Sequence, residues 1–222
     1  MVRNISSRRM SARNAGGEEY DKKRNTIRVA AAAVFREKGY EAASGDDIAK
    51  RAGMDRASIY YYYDGKKEIF RDMVGGAVTD NVLMAEAIEA SDDSPSSKLR
   101  CLIEGLFSSY ARHYPYLFVY VQEDMTRLMN DKTAWSSEMI SLGKRFDEAV
   151  INIIQAGLDD GSLRTKANAK LLAIGIIGMC NWSHRWFDPS QRLDGDKIAA
   201  AFSDMVIDGL ASKIDWLGRV DI

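Results

Sequence analysis

The chain has 222 residues, of which 46% are hydrophobic and 28% are charged, and its formal net charge is −1. This length and apolar content allow a substantial buried core in one or two domains. The longest apolar run, Leu171 to Cys180, is too short to span a bilayer, and the N-terminus lacks the apolar stretch of a signal peptide. Only three prolines occur, which favours helices over strands.

Charge is distributed unevenly along the chain. Residues 1–75 contain 16 Lys or Arg against 11 Asp or Glu, whereas the remainder contains 15 basic and 21 acidic residues. A basic N-terminal part and an acidic remainder are expected if only the N-terminal part meets phosphates. An imbalance of this size also occurs by chance, so it supports nucleic-acid binding without establishing it.

The cysteines and histidines indicate no metal chemistry. Cys101 and Cys180 are far apart, lie in apolar helical patterns and form no CxxC or His/Cys spacing. A disulfide framework or zinc site is therefore not expected, and a reduced cytoplasm is the natural location. His113 and His184 have no partners at useful spacing, so we predict no catalytic residue, no metal and no cofactor.

The N-terminal region begins with residues 1–19, which are rich in Ser, Arg and Gly. They are typical of a disordered tail, with a basic arm along the DNA as the alternative. A first helix is predicted from about Tyr20 to Lys38, with apolar residues at helical spacing. Gly39 is a natural left-handed stop.

A helix-turn-helix pattern follows. Ser44 opens a short helix and Asp47 lies three residues later, as in a capping box. Gly53 permits the tight turn, and Asp55 is a suitable N-cap for a third helix that ends in the run Tyr60 to Tyr63. A short helix, a glycine turn and a second helix with polar and aromatic side chains is a common way of placing a helix in the DNA major groove.

The rest of the chain is predicted to be helical. The fourth helix starts at Lys66 and ends near Ala90, and a polar loop covers Ser91 to Ser97. Five further helices are predicted: one ending near Tyr114, one at Tyr116 to Met129, one ending at Asp160-Gly161, one from about Ala167 to Phe187, and one carrying Ile198 to Ile214 at helical spacing.

The stretch GYEAASGDDIAKRAGMDRASIYYYYDGKKEIF, which starts at Gly39, resembles the N-terminal DNA-binding domain of TetR-family transcriptional regulators. The positions that match the family pattern are Gly39, Tyr40, Ile48, Ala49, Ala52, Gly53, Ala57, Ile59, Tyr60, Lys66 or Lys67, and Ile69. The resemblance implies an all-α fold in three parts: an arm over residues 1–19, a helix-turn-helix DNA-binding domain over 20–66, and an effector-binding and dimerisation domain over 67–222.

Two single positions and one pair of positions depart from the family pattern. Gly45 replaces the usual apolar residue or Thr, and Asp55 stands where a Ser or Thr often contacts a phosphate. Tyr62-Tyr63 replaces the more typical His-Phe pair. These departures leave the fold intact but change the expected details of operator contact.

The resemblance implies that the third helix enters the major groove and that Ile59 points inward. Arg56 and Ser58 are the candidates for base edges, and tyrosine hydroxyls and Lys66 are candidates for phosphates. The full set of predicted DNA contacts is Ser44, Arg56, Ala57, Ser58, Tyr60, Tyr61, Tyr62 and Lys66.

The last two helices would form the homodimer interface by the same resemblance, although a core internal to the fold explains their apolar stripes equally well. The segment NWSHRWFDP, Asn181 to Pro189, resembles part of a TetR subgroup whose members are often released from DNA by an acyl-CoA thioester. Its aromatic residues could instead fill the dimer core. The predicted ligand contacts are Phe107, Tyr110, Phe118, Met125, Trp135, Met139, Trp182, Arg185 and Trp186. The first six could instead be plain core, and Arg185 could instead cap helix carbonyls.

The function expected from these features is a cytoplasmic DNA-binding regulator, a repressor released from a double-stranded DNA operator by a small hydrophobic effector such as an acyl-CoA. The alternatives are an effector-independent architectural DNA-binding protein and a helical enzyme with an incidental helix-turn-helix. No nucleophile, base or metal set converges in the sequence, which argues against the enzyme.

Overall fold

The structure is a computed structural model that describes residues 17–122, 133–191 and 194–211, and within these residues it contains nine α-helices and no strand. The predicted all-helical fold class is confirmed. The helices are α1 (Gly17–Lys38), α2 (Gly45–Ala52), α3 (Arg56–Tyr62), α4 (Lys66–Ala90), α5 (Pro95–Arg112), α6 (Tyr116–Gln122), α7 (Ala134–Asp159), α8 (Ala169–Trp182) and α9 (Gly195–Ala211).

Two predicted helix boundaries are wrong. The predicted polar loop to Ser97 is too long, because Ser94 caps α5 by accepting a hydrogen bond from the Ser97 N–H at 3.3 Å and Pro95 occupies the first turn. The predicted eighth helix is too long, because α8 ends at Trp182 and a 3₁₀ turn, Ser183–Arg185, follows it. The predicted ends of the sixth helix at Met129 and of the ninth at Ile214 lie outside the described residues.

One compact unit comprises the described residues 17–77 and 115–122. Its core is formed by α1, α2, α3, the start of α4 and α6, and an aromatic trio joins α1 to α4. The ring centroids of Phe35, Tyr40 and Phe70 are 5.2 to 6.1 Å apart. Ile27 and Ile48 are fully buried beside them. Burying this set removes several large apolar side chains from water, which is the main stabilising term for a small helical unit.

The second compact unit comprises the described residues 78–114, 133–191 and 194–211. Here α5 packs against α9 and α7, and α8 packs against α7. Gly105 on α5 allows a close approach to α4, because a Cβ at this position would lie 2.3 Å from the Met84 Sδ atom. Cys101 is exposed and Cys180 is buried, and both are free thiols.

No described helix is both long enough and apolar enough to cross a membrane. The division between the two compact units falls inside α4, after Ala77. The predicted functional boundary at residue 66 stays a prediction.

Candidate DNA-binding and ligand sites

The ends of α2 are determined by local hydrogen bonds. The Ser44 Oγ atom accepts a hydrogen bond from the Asp47 N–H at 3.2 Å and donates to the Asp47 carboxylate at 2.7 Å, while the Ser44 N–H donates to the same carboxylate at 3.0 Å. The predicted capping box is confirmed. Gly53 ends the helix with φ of 65°, a left-handed conformation that glycine adopts without strain. Ser44, predicted as a DNA contact, therefore uses its hydroxyl to cap α2.

The carboxylate of Asp47 is held in its charged form. Lys38 lies 2.5 Å from it, and the Ser44 hydroxyl and N–H donate to it. These hydrogen bonds, with that from Lys38 the strongest, lower the pKa of Asp47 to about 2. The start of α2 thus carries a fixed negative charge, where the helix dipole favours one.

The N-terminus of α3 is capped by Asp55. Its carboxylate accepts a hydrogen bond from the Ser58 N–H at 2.6 Å, and this backbone contact lowers the pKa of Asp55. Because Asp55 performs this structural task, its departure from the family pattern has a local explanation. Arg56 and Ala57 are exposed beyond the cap, and Ser58 is half-buried.

The four tyrosines that follow have different surroundings. Tyr60 and Tyr61 are exposed, by 39% and 38%, whereas Tyr63 is completely buried. Tyr62 is half-buried and its ring centroid lies 5.0 Å from that of Tyr20 on α1. The inward direction predicted for Ile59 is confirmed, since this side chain is only 2% exposed. One side of α3 therefore presents Arg56, Tyr60 and Tyr61 outward.

Tyr63 ends α3 and ties it to two other helices. Its hydroxyl donates to Asp72 Oδ2 on α4 at 2.6 Å and accepts from Arg24 Nε on α1 at 3.1 Å. Arg24 also forms an ion pair with Asp72 at 3.0 Å. Burial, aided by the hydrogen bond to Asp72, raises the pKa of Tyr63. α3 is thus anchored at its C-terminal end by a polar network inside the unit.

Lys66 has a role that the sequence did not predict. Its ammonium donates to the carbonyls of Tyr40, Glu41 and Ala43 at 2.8, 2.9 and 3.1 Å, and lies 4.6 Å from the centre of the Tyr40 ring. It therefore closes the turn between α1 and α2. The predicted phosphate contact of Lys66 stays a prediction, and it would require a different orientation of this ammonium.

Asp46 lies close to the outward side of α3 and is not among the residues predicted from the sequence. It lies on α2, and its carboxylate is 3.2 Å from Arg56 Nη1 on α3. Arg56 Nη2 also donates to the Tyr60 hydroxyl at 3.3 Å. Nothing in the spacing of these residues indicates the pair, because the two helices come together only through the turn at Gly53.

The predicted ligand residues fall into separate groups. Phe107, Tyr110 and Met139 are buried in the second compact unit, where the Tyr110 hydroxyl donates to Asn181 Oδ1 at 2.6 Å. Trp135 is half-buried in that unit. Phe118 is buried on α6 in the first unit, and Met125 lies outside the described residues.

Phe107 is also a wall of a surface cavity. The cavity has a volume of about 400 Å³ and lies beside the loop between α8 and α9. Gly195 belongs to its lining, and a Cβ there would lie 3.3 Å from the Phe187 ring. The remaining lining residues are Ser108, Ala111, Phe187, Pro189, Gln191, Asp194 and Asp196.

The three remaining predicted ligand residues lie at the end of α8 and are exposed. Trp182 is 59% exposed and Trp186 is 40% exposed. The Arg185 guanidinium carbon lies 4.9 Å from the centre of the Trp182 ring, which is within cation–π range. The alternative interpretation, in which these tryptophans fill the dimer core, stays a prediction, because their exposure in one protomer leaves them available to a partner.

An apolar groove runs between α8 and α9. Its volume is about 290 Å³, and it is lined by Leu171, Leu172, Gly175, Ile176, Met179, Met205, Val206, Gly209 and Leu210. Leu171 and Met205 are exposed by 59% and 58%, and neighbouring Ile174 by 60%. Such a continuous exposed apolar surface is typical of a protein–protein interface.

Titratable side chains do not cluster as a metal site would require. Within the described ranges, no group of three or more His, Cys, Asp and Glu side chains could hold a metal ion. His184 Nδ1 lies 2.8 Å from the Asn181 carbonyl oxygen, and burial lowers the pKa of His113.

Comparisons with known proteins agree with this geometry. Residues 27–73 match the family model described as bacterial regulatory proteins, tetR family, and residues 92–210 match the tetracyclin repressor-like C-terminal domain. The HTH-type transcriptional repressor KstR2 of Rhodococcus jostii is 27% identical over 183 residues, which cover 82% of this chain and 88% of that relative.

Solved structures share the fold. The ketosteroid transcriptional regulator KstR2 of Mycobacterium tuberculosis has a TM-score of 0.77 at 23% identity, covering 86% of this chain and 95% of that one. AibR in complex with isovaleryl coenzyme A and operator DNA has a TM-score of 0.65 at 17% identity, covering 82% and 97%. Since the C-terminal family model alone matches more than half of the sequence, the chain belongs to the TetR family and is a homodimeric, DNA-binding transcriptional regulator.

Proposed function

We propose that the protein is a repressor that binds a palindromic operator through α3 and is released by a hydrophobic effector of the acyl-CoA class. In this proposal residues 20–66 form the DNA-binding domain, preceded by a basic arm over 1–19, and residues 67–222 bind the effector and dimerise. The protein would act in the cytoplasm, where its operator lies, and would release the effector chemically unchanged.

The proposed DNA binding is supported by the difference between the buried and the exposed side of α3. Ile59 is buried, as is Tyr63 directly after the helix, while Arg56, Tyr60 and Tyr61 face solvent. A short helix whose outward face carries a guanidinium and phenol hydroxyls has the donors and ring faces that read base edges, phosphates and thymine methyls. Two such helices in a homodimer would enter successive major grooves about 34–36 Å apart.

The groove between α8 and α9 supports the proposed dimer interface. Leu171, Ile174 and Met205 expose most of their apolar surface in the protomer. Two-fold packing of α8 and α9 against their copies would bury these side chains and make a four-helix bundle. The exposed glycines Gly175 and Gly209 in the groove would permit close approach of the partner helices.

The exposed cluster at the end of α8 supports an effector with a phosphate and an aromatic base. Arg185 offers a guanidinium that binds phosphate oxygens, and Trp182 and Trp186 offer rings on which an adenine can stack. The relative named as a repressor and the neighbour solved with isovaleryl coenzyme A point to the same class of regulator and effector. The buried group of Phe107, Tyr110 and Met139 would adjoin the acyl chain only after repacking, since these side chains are 1–2% exposed.

Release would occur by a population shift. The effector must bind more tightly to a form of the homodimer whose two α3 helices no longer fit successive grooves. α4 would carry the change, because its residues belong to both compact units. An effector that prefers neither form would stabilise the protein without releasing DNA.

The test is a thermal-shift screen of acyl-CoAs of increasing chain length against free coenzyme A, the matching free acids and sterols. Stabilising compounds would then be added to the complex with DNA enriched by the wild-type protein from a random pool. We expect an acyl-CoA to raise Tm and dissociate the complex, and Arg185→Ala to weaken this response about tenfold while keeping the homodimer.

Three results would contradict parts of the proposal. Stabilisation by free acids or sterols and by no acyl-CoA would overturn the effector class. A complex that no compound dissociates would favour an effector-independent architectural protein. Recovery of a hydrolysed or otherwise altered effector, detected by mass spectrometry, would overturn the assignment of a regulator without turnover.

A further inference from the structure

Asp46 occupies an unusual place on the surface that the preceding proposal turns toward DNA. It lies in the first turn of α2, and 65% of its side chain is exposed. A carboxylate directed at a polyanion opposes binding, because it repels the phosphates. An unpaired Asp46 would therefore only weaken the complex with DNA. The effect of Asp46 on DNA binding depends on the residue with which it is paired.

That partner is Arg56, the one arginine of α3. Arg56 Nη1 lies 3.2 Å from Asp46 Oδ2, and its Nη2 donates to the Tyr60 hydroxyl at 3.3 Å. The guanidinium carbon is 5.6 Å from the centre of the Tyr60 ring. Two side chains on two different helices thus hold one guanidinium, and 60% of the Arg56 side chain still faces solvent.

The held guanidinium keeps enough donors to read a base. A guanidinium has five N–H groups, and Asp46 and Tyr60 each take one, so three remain. Recognition of guanine needs two of them, for the O6 and N7 atoms.

Gly45 lies close to this arrangement. A Cβ at position 45 would lie 3.9 Å from the Tyr60 hydroxyl oxygen, in ordinary van der Waals contact. The departure from the family pattern at Gly45 is therefore adjacent to Tyr60, at a position where a methyl group would also fit.

From these contacts we propose that Asp46 is a positioning residue that determines operator specificity by orienting Arg56 toward one base of each half-site. The inference rests on the proposed entry of α3 into the major groove. Asp46 contributes to discrimination between sequences, while its charge lowers affinity for all DNA. An arginine that is fixed in advance loses less conformational freedom when it binds its base than a free one does.

The experiment compares Asp46→Asn with wild type on two duplexes, one enriched from a random pool by the wild-type homodimer and one scrambled. Fluorescence anisotropy gives both Kd values at fixed salt. We expect Asp46→Asn to bind the scrambled duplex more tightly and the enriched duplex no more tightly, so the specificity ratio falls about threefold to tenfold. Asp46→Glu, which keeps the charge, should restore part of the ratio.

Glu41→Gln is the matched control, since it removes one exposed carboxylate from the same compact unit. It should change both Kd values by the same factor and leave the ratio as in wild type. A second enrichment with Asp46→Asn should broaden the preference at one base of each half-site and leave the other positions unchanged, which a general loss of stability would not do.

The outcomes separate the two proposals. If Arg56→Ala leaves the specificity ratio unchanged, the proposed contact of α3 with bases is wrong, and the role of Asp46 falls with it. If Arg56→Ala collapses the ratio while Asp46→Asn keeps it, Asp46 is only a surface charge and this inference alone is overturned.

Discussion

The two compact units of the protein differ in the range of the interactions that determine their surfaces. In the first unit, the N-termini of α2 and α3 are determined by contacts between residues three positions apart, Ser44 with Asp47 and Asp55 with Ser58. In the second unit, α8 is apolar on several sides, and it buries Ile176 while exposing Ile174. Local caps allow the start of a helix to be predicted from sequence. The role of an apolar helix face, in contrast, depends on which other part of the protein or of a partner covers it.

The largest effect is expected at the apolar surface of the second unit. Ile174→Glu would place a charge in the proposed interface between two α8 helices, so we expect a monomer and about a hundredfold loss of operator affinity. Light scattering measures the oligomeric state, and fluorescence anisotropy measures the operator affinity. Leu83→Glu is the control, because Leu83 is similarly exposed, by 55%, but lies on α4. A dimeric Ile174→Glu variant would mean that the groove is ordinary surface.

The next largest effect tests the outward face of α3. Tyr61→Ala should reduce operator affinity about tenfold to a hundredfold, because it removes a hydroxyl and a ring from the proposed interface, and it should keep the homodimer. Tyr61→Phe separates the hydroxyl from the ring. Normal DNA binding by Tyr61→Ala would refute the proposed placement of α3.

A smaller effect is expected inside the first unit. Tyr63→Phe removes the hydroxyl that joins Arg24 to Asp72, so the free energy of unfolding should fall by about 1–2 kcal/mol. Urea denaturation measures this, and Tyr61→Phe should change stability little because Tyr61 is exposed. An unchanged midpoint for Tyr63→Phe would show that the Arg24–Asp72 ion pair suffices.

The smallest effect concerns acid stability. The pKa of Asp47 is about 2 in the folded protein, below its ordinary value of 3.8, because Lys38 and Ser44 donate hydrogen bonds to it. Its contribution is therefore complete above pH 4 and is lost as the pH falls toward 2. Asp47→Asn should flatten the dependence of stability on pH in this window, measured by urea unfolding. Asp92→Asn, in an exposed loop, should keep the wild-type dependence.

Much of the fold follows from local patterns. The capping box at Ser44, the N-cap at Asp55, the left-handed glycines and the apolar spacing predict α1 to α4 to within three residues of their observed ends. The third helix is a partial exception, since Tyr63 leaves α3 in order to reach Asp72 on α4. The predicted end of the eighth helix at Phe187 is also too late. There the helix gives way to the 3₁₀ turn Ser183–Arg185, in which Ser183 is fully buried.

The candidate site was predictable in part. The exposed face of α3 follows from the position of Ile59 and the helical repeat. The contacts of Lys66 with three carbonyls, and of Asp46 with Arg56, do not follow, because each joins residues ten or more positions apart through a turn. The ligand residues were the least predictable, because a buried aromatic residue and one that contacts a ligand share the same helical spacing.

The sequence by itself determined the family, the all-helical class and the helix-turn-helix, because caps, glycine turns and the apolar repeat act over three or four residues. The tertiary structure decided which tyrosine is buried, which arginine is held by a carboxylate and which tryptophans remain exposed. These outcomes depend on the packing of helices distant in the chain, and helix packing depends on the shapes of all the side chains at the contact.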